Sequence, residues 1–241
     1  PLALLSQNIS VIEVGAHSHI YEIFLDFIGV KTLIITDIDS AKEEEKEQKD
    51  GKIRQVRSAH EIDGATHTTN FALQFYHGMG PEIGYYIGLT VAQKTVLKDA
   101  ANGNWAPHAH GQVMCVFQVA EADQAGNVYH ARSFEDAFFH INRPFMRDAT
   151  TADDETQKIG FPSLTDVHLR TYLNDHGSSF AMAENGIRKK PSFAIEILLN
   201  SETKSETISN AAGIKKDFAF EFSNWKTPIY IEEGLAWIKQ G

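Results

Sequence analysis

The chain of 241 residues contains a single cysteine, Cys115, so an intrachain disulfide framework is excluded and a reducing, cytoplasmic setting is expected. That cysteine lies in the apolar run VMCVF and reads as a core residue. No stretch approaches the roughly 18 apolar residues of a membrane span, and no signal peptide opens the chain, so no membrane partner is expected. Gly-x4-Gly-Lys-Ser/Thr occurs nowhere, which excludes a P-loop nucleotide site. Positive charge is scarce. With 22 Lys and Arg against 32 Asp and Glu, the net charge of −10 argues against a broad basic face for nonspecific nucleic-acid binding. It leaves room for an acidic metal site that reaches phosphate through its ions.

Hydrophobic residues at 42% and charged residues at 22% describe an ordinary globular composition. The most informative stretch is Asn8 to Ser40. Ile9 to Ile12 leads into Glu13, and Thr32 to Thr36 leads into Asp37 and Asp39. Between them Ile20, Phe24, Phe27 and Ile28 recur at a helical period, and Gly29 stands where a helix would stop. Strand, helix, strand at this length predicts a right-handed crossover and a parallel pair. Both acidic ends then share the carboxyl edge of the sheet, where open α/β sheets place their sites. Residues i and i+2 of an extended segment point the same way, so Asp37 and Asp39 can face one ion. Glu13, Asp37 and Asp39 gathered there would repel one another unless a hard, oxygen-bound divalent cation sat between them. Solvated turn residues after a buried strand are the simpler alternative.

Further along, Ala41 to Lys52 (AKEEEKEQKDGK) reads as a solvated loop or helix end. Thr68-Thr69-Asn70 offers an N-cap to the segment that follows. Gly80 to Trp105 reads mostly as helix, with Ile83, Ile87, Val91, Val96 and Leu97 on one side. His108 and His110 read as surface residues, and Val113 to Glu121 as a strand. Phe134, Ala137, Phe138 and Ile141 have helical spacing, with Ser133 placed to cap and Glu135 and Asp136 in the first turn. Asp148 to Gly160 reads as a loop, and Ser163 to Leu173 and Ser178 to Ala183 are left unassigned. A helix is expected from Lys190 with Pro191 in its first turn, and another near the end, bringing Tyr230, Leu235 and Trp237 onto the core.

These residues also carry a resemblance. A strand ending in Glu-x-Gly, a helix and a strand ending in Asp-x-Asp resemble a Toprim domain. More closely, VIEVGAHSHIYEIFLDFIGVKTLIITDIDS, RSFEDAF at 132–138 and the closing SNWKTPIYIEEGLAWIKQG resemble the Toprim part of OLD-family (overcoming lysogenization defect) ATP-dependent endonucleases. The resemblance implies an α/β, Rossmann-like Toprim fold, with a mostly parallel sheet flanked by helices and additional helical segments. Residues 1–145 would form its core, with an insertion near 41–66, and 146–241 the C-terminal part of the same nuclease domain. It implies a Mg2+-dependent DNA endonuclease, nicking or cutting both strands, with one or two ions that Mn2+ or Ca2+ can replace. By resemblance Glu13, Asp37, Asp39, Ser133 and Glu135 hold the metal. Lys190, or Lys215 at the same distance from a Phe-Ala pair, would neutralise charge on the phosphate, and Asp136 with Arg132 would support the site. Many such nucleases carry a second Glu four residues after the first. Here that position is His17, so His17 and Glu22 become supporting candidates for the second ion's shell. The partners implied are DNA, an N-terminal ATPase domain absent from this chain and further copies of the chain. Opening at Pro1 without Met, the chain is expected to be the C-terminal half of such a protein, and a phage-defence role is implied at the family level only. The alternative is a catalytically degenerate Toprim, or another Mg2+-binding α/β domain, with a regulatory or assembly role.

Overall fold

The computed structural model describes residues 8–47, 49, 51–150, 160–174, 177–209, 212–213 and 215–239. A 3-10 stretch, Gly15–Tyr21, leads into α1 (Glu22–Ile28), which ends at Gly29 in the left-handed conformation with φ 59°. Next come β1 (Thr32–Ile35), β2 (Ser40–Glu47), β3 (Ile53–Ala59), β4 (His67–Thr68), α2 (Phe71–His77) and α3 (Ile83–Ile87). Five short strands follow: β5 (Thr95–Lys98), β6 (Trp105–Pro107), β7 (Val113–Val116), β8 (Ala120–Ala122) and β9 (Val128–His130). The remainder is α4 (Phe134–Ile141), α5 (Arg143–Thr150), α6 (Asp166–Leu173), α7 (Ser179–Asn185), α8 (Lys190–Leu199), the hairpin β10 (Thr203–Ser209) and β11 (Lys215–Phe222), and α9 (Ile229–Lys239). Two compact units emerge, residues 11–137 with 228–241, and residues 1–10 with 138–227.

The first unit is built on a sheet of order β1-β7-β5-β6. Only β1 and β7 run parallel, with Ile34 opposite Cys115; β5 is antiparallel to both β7 and β6. The architecture is therefore mixed α/β, and the mostly parallel sheet expected from the sequence is replaced by a mixed one. Alternation along β7 explains its unbroken apolar run. Val113, Cys115 and Phe117 join Leu73, Tyr76 and Tyr86 of α2 and α3 in one cluster, while Met114 and Val116 join Ala131, Ala137 and Tyr230 of α9 in another. A strand buried on both faces leaves no room for polar alternation.

Three expectations are corrected. Ile9 to Ile12 form no strand. Ile9, Val11 and Ile12 are 49%, 91% and 56% exposed, so little burial among the described residues offsets the entropy of ordering them, and β1 takes its parallel partner from β7 instead. The charged run after Ser40 is no loop: β2 pairs antiparallel with β3, and Glu43–Arg57 and Glu45–Gln55 contacts of 3.0 Å span facing residues. Gly80 to Trp105 holds one short helix, α3, a 3-10 turn at Val91–Lys94, and then β5 and β6. Thr95 and Val96 are β-branched, and pairing with β7 overrides the apparent helical period. The helical period from Ile20 to Ile28 is found, but its apolar side faces outward: Ile23 is 78% and Phe27 87% exposed.

Asn70 caps α2, Cys115 is buried, Pro191 lies in the first turn of α8, and α9 forms the terminal helix. The segment expected as a loop from Asp148 begins as the last turn of α5, and 151–159 lie outside the described residues. The second unit has an aromatic core in which Phe139 stacks on Phe193 at 5.0 Å and the Tyr172 hydroxyl donates to the Phe139 carbonyl. Among the described residues no helix is long and apolar enough to cross a membrane.

Burial contrasts Leu73, fully buried on α2, with Phe27 on α1. Leu73→Ala is expected to lower unfolding free energy by about 2–5 kcal/mol. Phe27→Ala should change it by less than about 0.5 kcal/mol, measured by urea unfolding. A large loss at Phe27 would mean that the face of α1 is covered.

Candidate functional site

Beyond β1 the chain leaves the sheet through a last backbone bond from Thr36 N–H to the Val116 carbonyl, 3.0 Å. The loop from Thr36 to Asp39 is then held on several sides. Asn70 donates from Nδ2 to Thr36 Oγ1 at 2.7 Å and to the Asp37 carbonyl at 2.6 Å. Thr68 Oγ1 donates to the Ile38 carbonyl at 2.5 Å, and the Ile38 N–H donates to Gln118 Oε1 at 2.8 Å. Ile38 itself is fully buried and anchors the loop between its two acids. Asp39 takes a φ of 50°, the only positive φ of a non-glycine residue among the described residues. Because the loop is not extended there, strand alternation does not align Asp37 with Asp39, contrary to the expectation from their spacing.

The two acids nevertheless interact. Asp37 Oδ1 accepts from Gln118 Nε2 at 2.6 Å and from the backbone N–H of Phe134, the first residue of α4, at 2.8 Å. Burial pushes its carboxyl up from the ordinary 3.8 to about 6, and the charges of Asp39 and Glu135 push the same way. The donors Gln118 and Phe134 pull it back down. Glu135 is 8% exposed in the first turn of α4, while Asp39 faces the Arg132 guanidinium at 3.5 Å. Arg132 also donates from Nε to the Ser40 carbonyl, so it braces the far side of the loop.

Asp37, Asp39 and Glu135 are thus brought into electrostatic contact by β1, its loop and the start of α4. Ser133, fully buried, accepts the Asp136 N–H at its Oγ (3.4 Å) and serves as the cap of α4. Asp136, also buried, accepts from the Tyr129 hydroxyl and the Arg132 N–H, which fixes the turn into the helix. Glu13 is exposed on the irregular segment before Gly15, and the charges that act on Asp37 come from Asp39 and Glu135. Glu22 binds Lys98 Nζ and accepts from Trp105 Nε1, tying α1 to β5 and β6. His17 is exposed, edge-on to His19 at 6.1 Å. Lys190, at the first position of α8, and Lys215, at the start of β11, are exposed residues of the other unit. Two contributors went unread in the sequence. Asn70 appeared only as a helix cap, and Gln118 is a polar residue in the apolar run VMCVFQVAE, buried to 1% exposure.

Among the described residues no group of three or more His, Cys, Asp or Glu side chains is arranged to enclose an ion. The donor chemistry still suits Mg2+, which keeps several waters and is held through one or two carboxylates rather than a closed cage. Asp37 Oδ2 accepts no hydrogen bond among the described residues, and both bonds fall on Oδ1.

A raised folded-state value has a definite sign. The folded protein holds the Asp37 proton more tightly than the unfolded chain, so this contribution to stability is present below 3.8 and is lost as pH rises to about 6. Asp37→Asn keeps the Oδ1 acceptor and cannot ionise. In EDTA it is expected to be about 1–3 kcal/mol more stable than the wild type at pH 7.5 and indistinguishable near pH 4, by urea unfolding at both pH values. Equal stability at pH 7.5 would mean that Asp37 ionises without cost.

Comparison with models of known protein families, with curated proteins and with solved structures finds no match to this chain.

Proposed function

We propose that this chain is a metal-dependent DNA endonuclease domain in which Asp37 is the central ligand of a Mg2+ ion, with Asp39 and Glu135 beside it. The observation that best supports this is the hold on Asp37 Oδ1 by Gln118 Nε2 at 2.6 Å and by the Phe134 N–H at 2.8 Å, next to Glu135 in sequence; burial first, and then the charges of Asp39 and Glu135, push the Asp37 carboxyl up to about 6. Like charges crowded at the end of a sheet strand are costly unless a cation neutralises them. The resemblance of the Asp-x-Asp loop and of RSFEDAF to OLD-family nucleases points the same way. Asp37 would present Oδ2, because Oδ1 is already held by Gln118 and Phe134. Glu135 would approach from the first turn of α4, whose start Ser133 and Asp136 fix. Mg2+ bound there would supply a water of lowered pKa and neutralise charge on a DNA phosphate. With a net charge of −10, affinity for DNA would depend on the ion and on an ATPase partner half rather than on a basic face.

One observation favours a second reading. Arg132 already faces Asp39 at 3.5 Å, and a carboxylate neutralised by a guanidinium has less need of an ion. A catalytically degenerate domain with a role in assembly or regulation would fit that pairing.

Cleavage of supercoiled plasmid separates the two. The wild type with Mg2+ or Mn2+ is expected to nick or linearise the plasmid, EDTA to stop it, and Asp37→Ala to reduce the rate at least about a hundredfold. Cleavage that survives in Asp37→Ala would sink the assignment. No cleavage by the wild type, with the ATPase half supplied, would establish the second reading.

A further inference from the structure

We propose that Gln118 is the positioning residue of this site: its side-chain amide locks Asp37 Oδ1 and so presents Oδ2 to the cation. The proposal rests on the reading of Asp37 as a cation ligand.

Gln118 lies just past β7, where the parallel pairing of β1 and β7 brings it beside the acidic loop. Its amide is fully engaged. Oε1 accepts the Ile38 N–H at 2.8 Å, and Nε2 donates to Asp37 Oδ1 at 2.6 Å and to the Tyr230 hydroxyl of α9 at 3.1 Å. The amide orientation is unambiguous. A backbone N–H can face only the oxygen, so the Ile38 contact forces the NH2 group toward Asp37. One side chain therefore grips the loop at two successive residues, the backbone of Ile38 and the carboxylate of Asp37. A glutamine buried to 1% exposure would be costly with any of these bonds missing, so the grip is rigid.

The choice of a neutral amide has a consequence. A lysine here would pair with Asp37 and compete with a cation. An amide donates to the carboxylate at every pH while leaving its full negative charge for a ligand. Together with the Phe134 N–H it occupies Oδ1, so a cation meets Oδ2.

The test uses Gln118→Met, of similar length and without donors, and Gln118→Asn, whose amide is one methylene too short to reach. Retention of fold is checked by urea unfolding. The Asp37 carboxyl is titrated by 13C NMR in EDTA-treated protein, and Mg2+ affinity is measured by titration at pH 7.5. Loss of a hydrogen bond to a charged group is expected to move the Asp37 midpoint up by about one pH unit or more, and Mg2+ binding at pH 7.5 to weaken at least about tenfold. The second variant keeps the measurement decisive if the first does not fold. A residue that served only to fill the core would leave the midpoint where it is, and an unmoved midpoint in a folded variant overturns the proposal. Should the midpoint move while the wild type binds no Mg2+, the hold on Asp37 stands and the cation reading fails. Equal Mg2+ binding in wild type and variants, with an unmoved midpoint, has the opposite meaning.

Discussion

A carboxylate drawn partly out of water must be compensated, and the acidic loop of the first unit meets that requirement at the half-buried Asp37. The carboxyl is placed where β1 leaves the sheet, beside two further acids, and its ionisation is opposed on every count except hydrogen bonding. Compensation comes from neutral donors on elements distant in sequence: Gln118 after β7 and the Phe134 N–H at the start of α4. Asn70 and Thr68, from the approach to α2, secure the backbone that carries the acid. Three segments that share no local sequence relationship therefore converge on one loop. The parallel pairing of β1 with β7 brings Gln118 into range, and the fold's long-range contacts are in this sense the site's geometry.

Neutral compensation differs from an ion pair in what it leaves available. Asp39 shows the other solution, a guanidinium at 3.5 Å, in the same few residues. Asp37 has donors on one oxygen and none on the other among the described residues, so its negative charge is oriented but not cancelled. A half-buried, oriented and uncancelled charge is an unfavourable arrangement for stability alone, and such arrangements concentrate where function selects them.

Much of the fold was legible because it obeys local rules. Gly29 at the end of α1, Asn70 as the cap of α2 and Pro191 in the first turn of α8 are local chemistry, and the structure has each. The failures share a cause. Ile9 to Ile12 have strand composition but no partner among the described residues, because a strand is defined by its neighbour and not by its own side chains. The charged run after Ser40 looked like solvent-facing coil until its cross-strand partners Arg57 and Gln55 were known. Thr95 and Val96 looked helical only while their pairing with β7 was invisible. Of the candidate site, Asp37 and Asp39 stand out in the sequence by their position after an apolar strand, and Glu135 only through the resemblance carried by RSFEDAF. Gln118 does not stand out, because a single polar residue in an apolar run has no partner in sequence space.

The positive φ of Asp39 joins these observations. A left-handed turn there swings the chain out of the strand direction and into β2, and it is secured by the Arg132 carbonyl, which accepts the Asp39 N–H. The residue before Ser133 thus touches the acidic loop with its backbone at Asp39 and with its side chain at Ser40, while its own N–H is held by Asp136. Asp136 in turn belongs to α4, whose first N–H binds Asp37. The circuit from Asp37 through α4, Asp136 and Arg132 back to Asp39 is closed. The close sequence spacing of Arg132, Ser133, Glu135 and Asp136 then has a physical reason: one helix start both supplies a carboxylate and braces the loop that carries the other two.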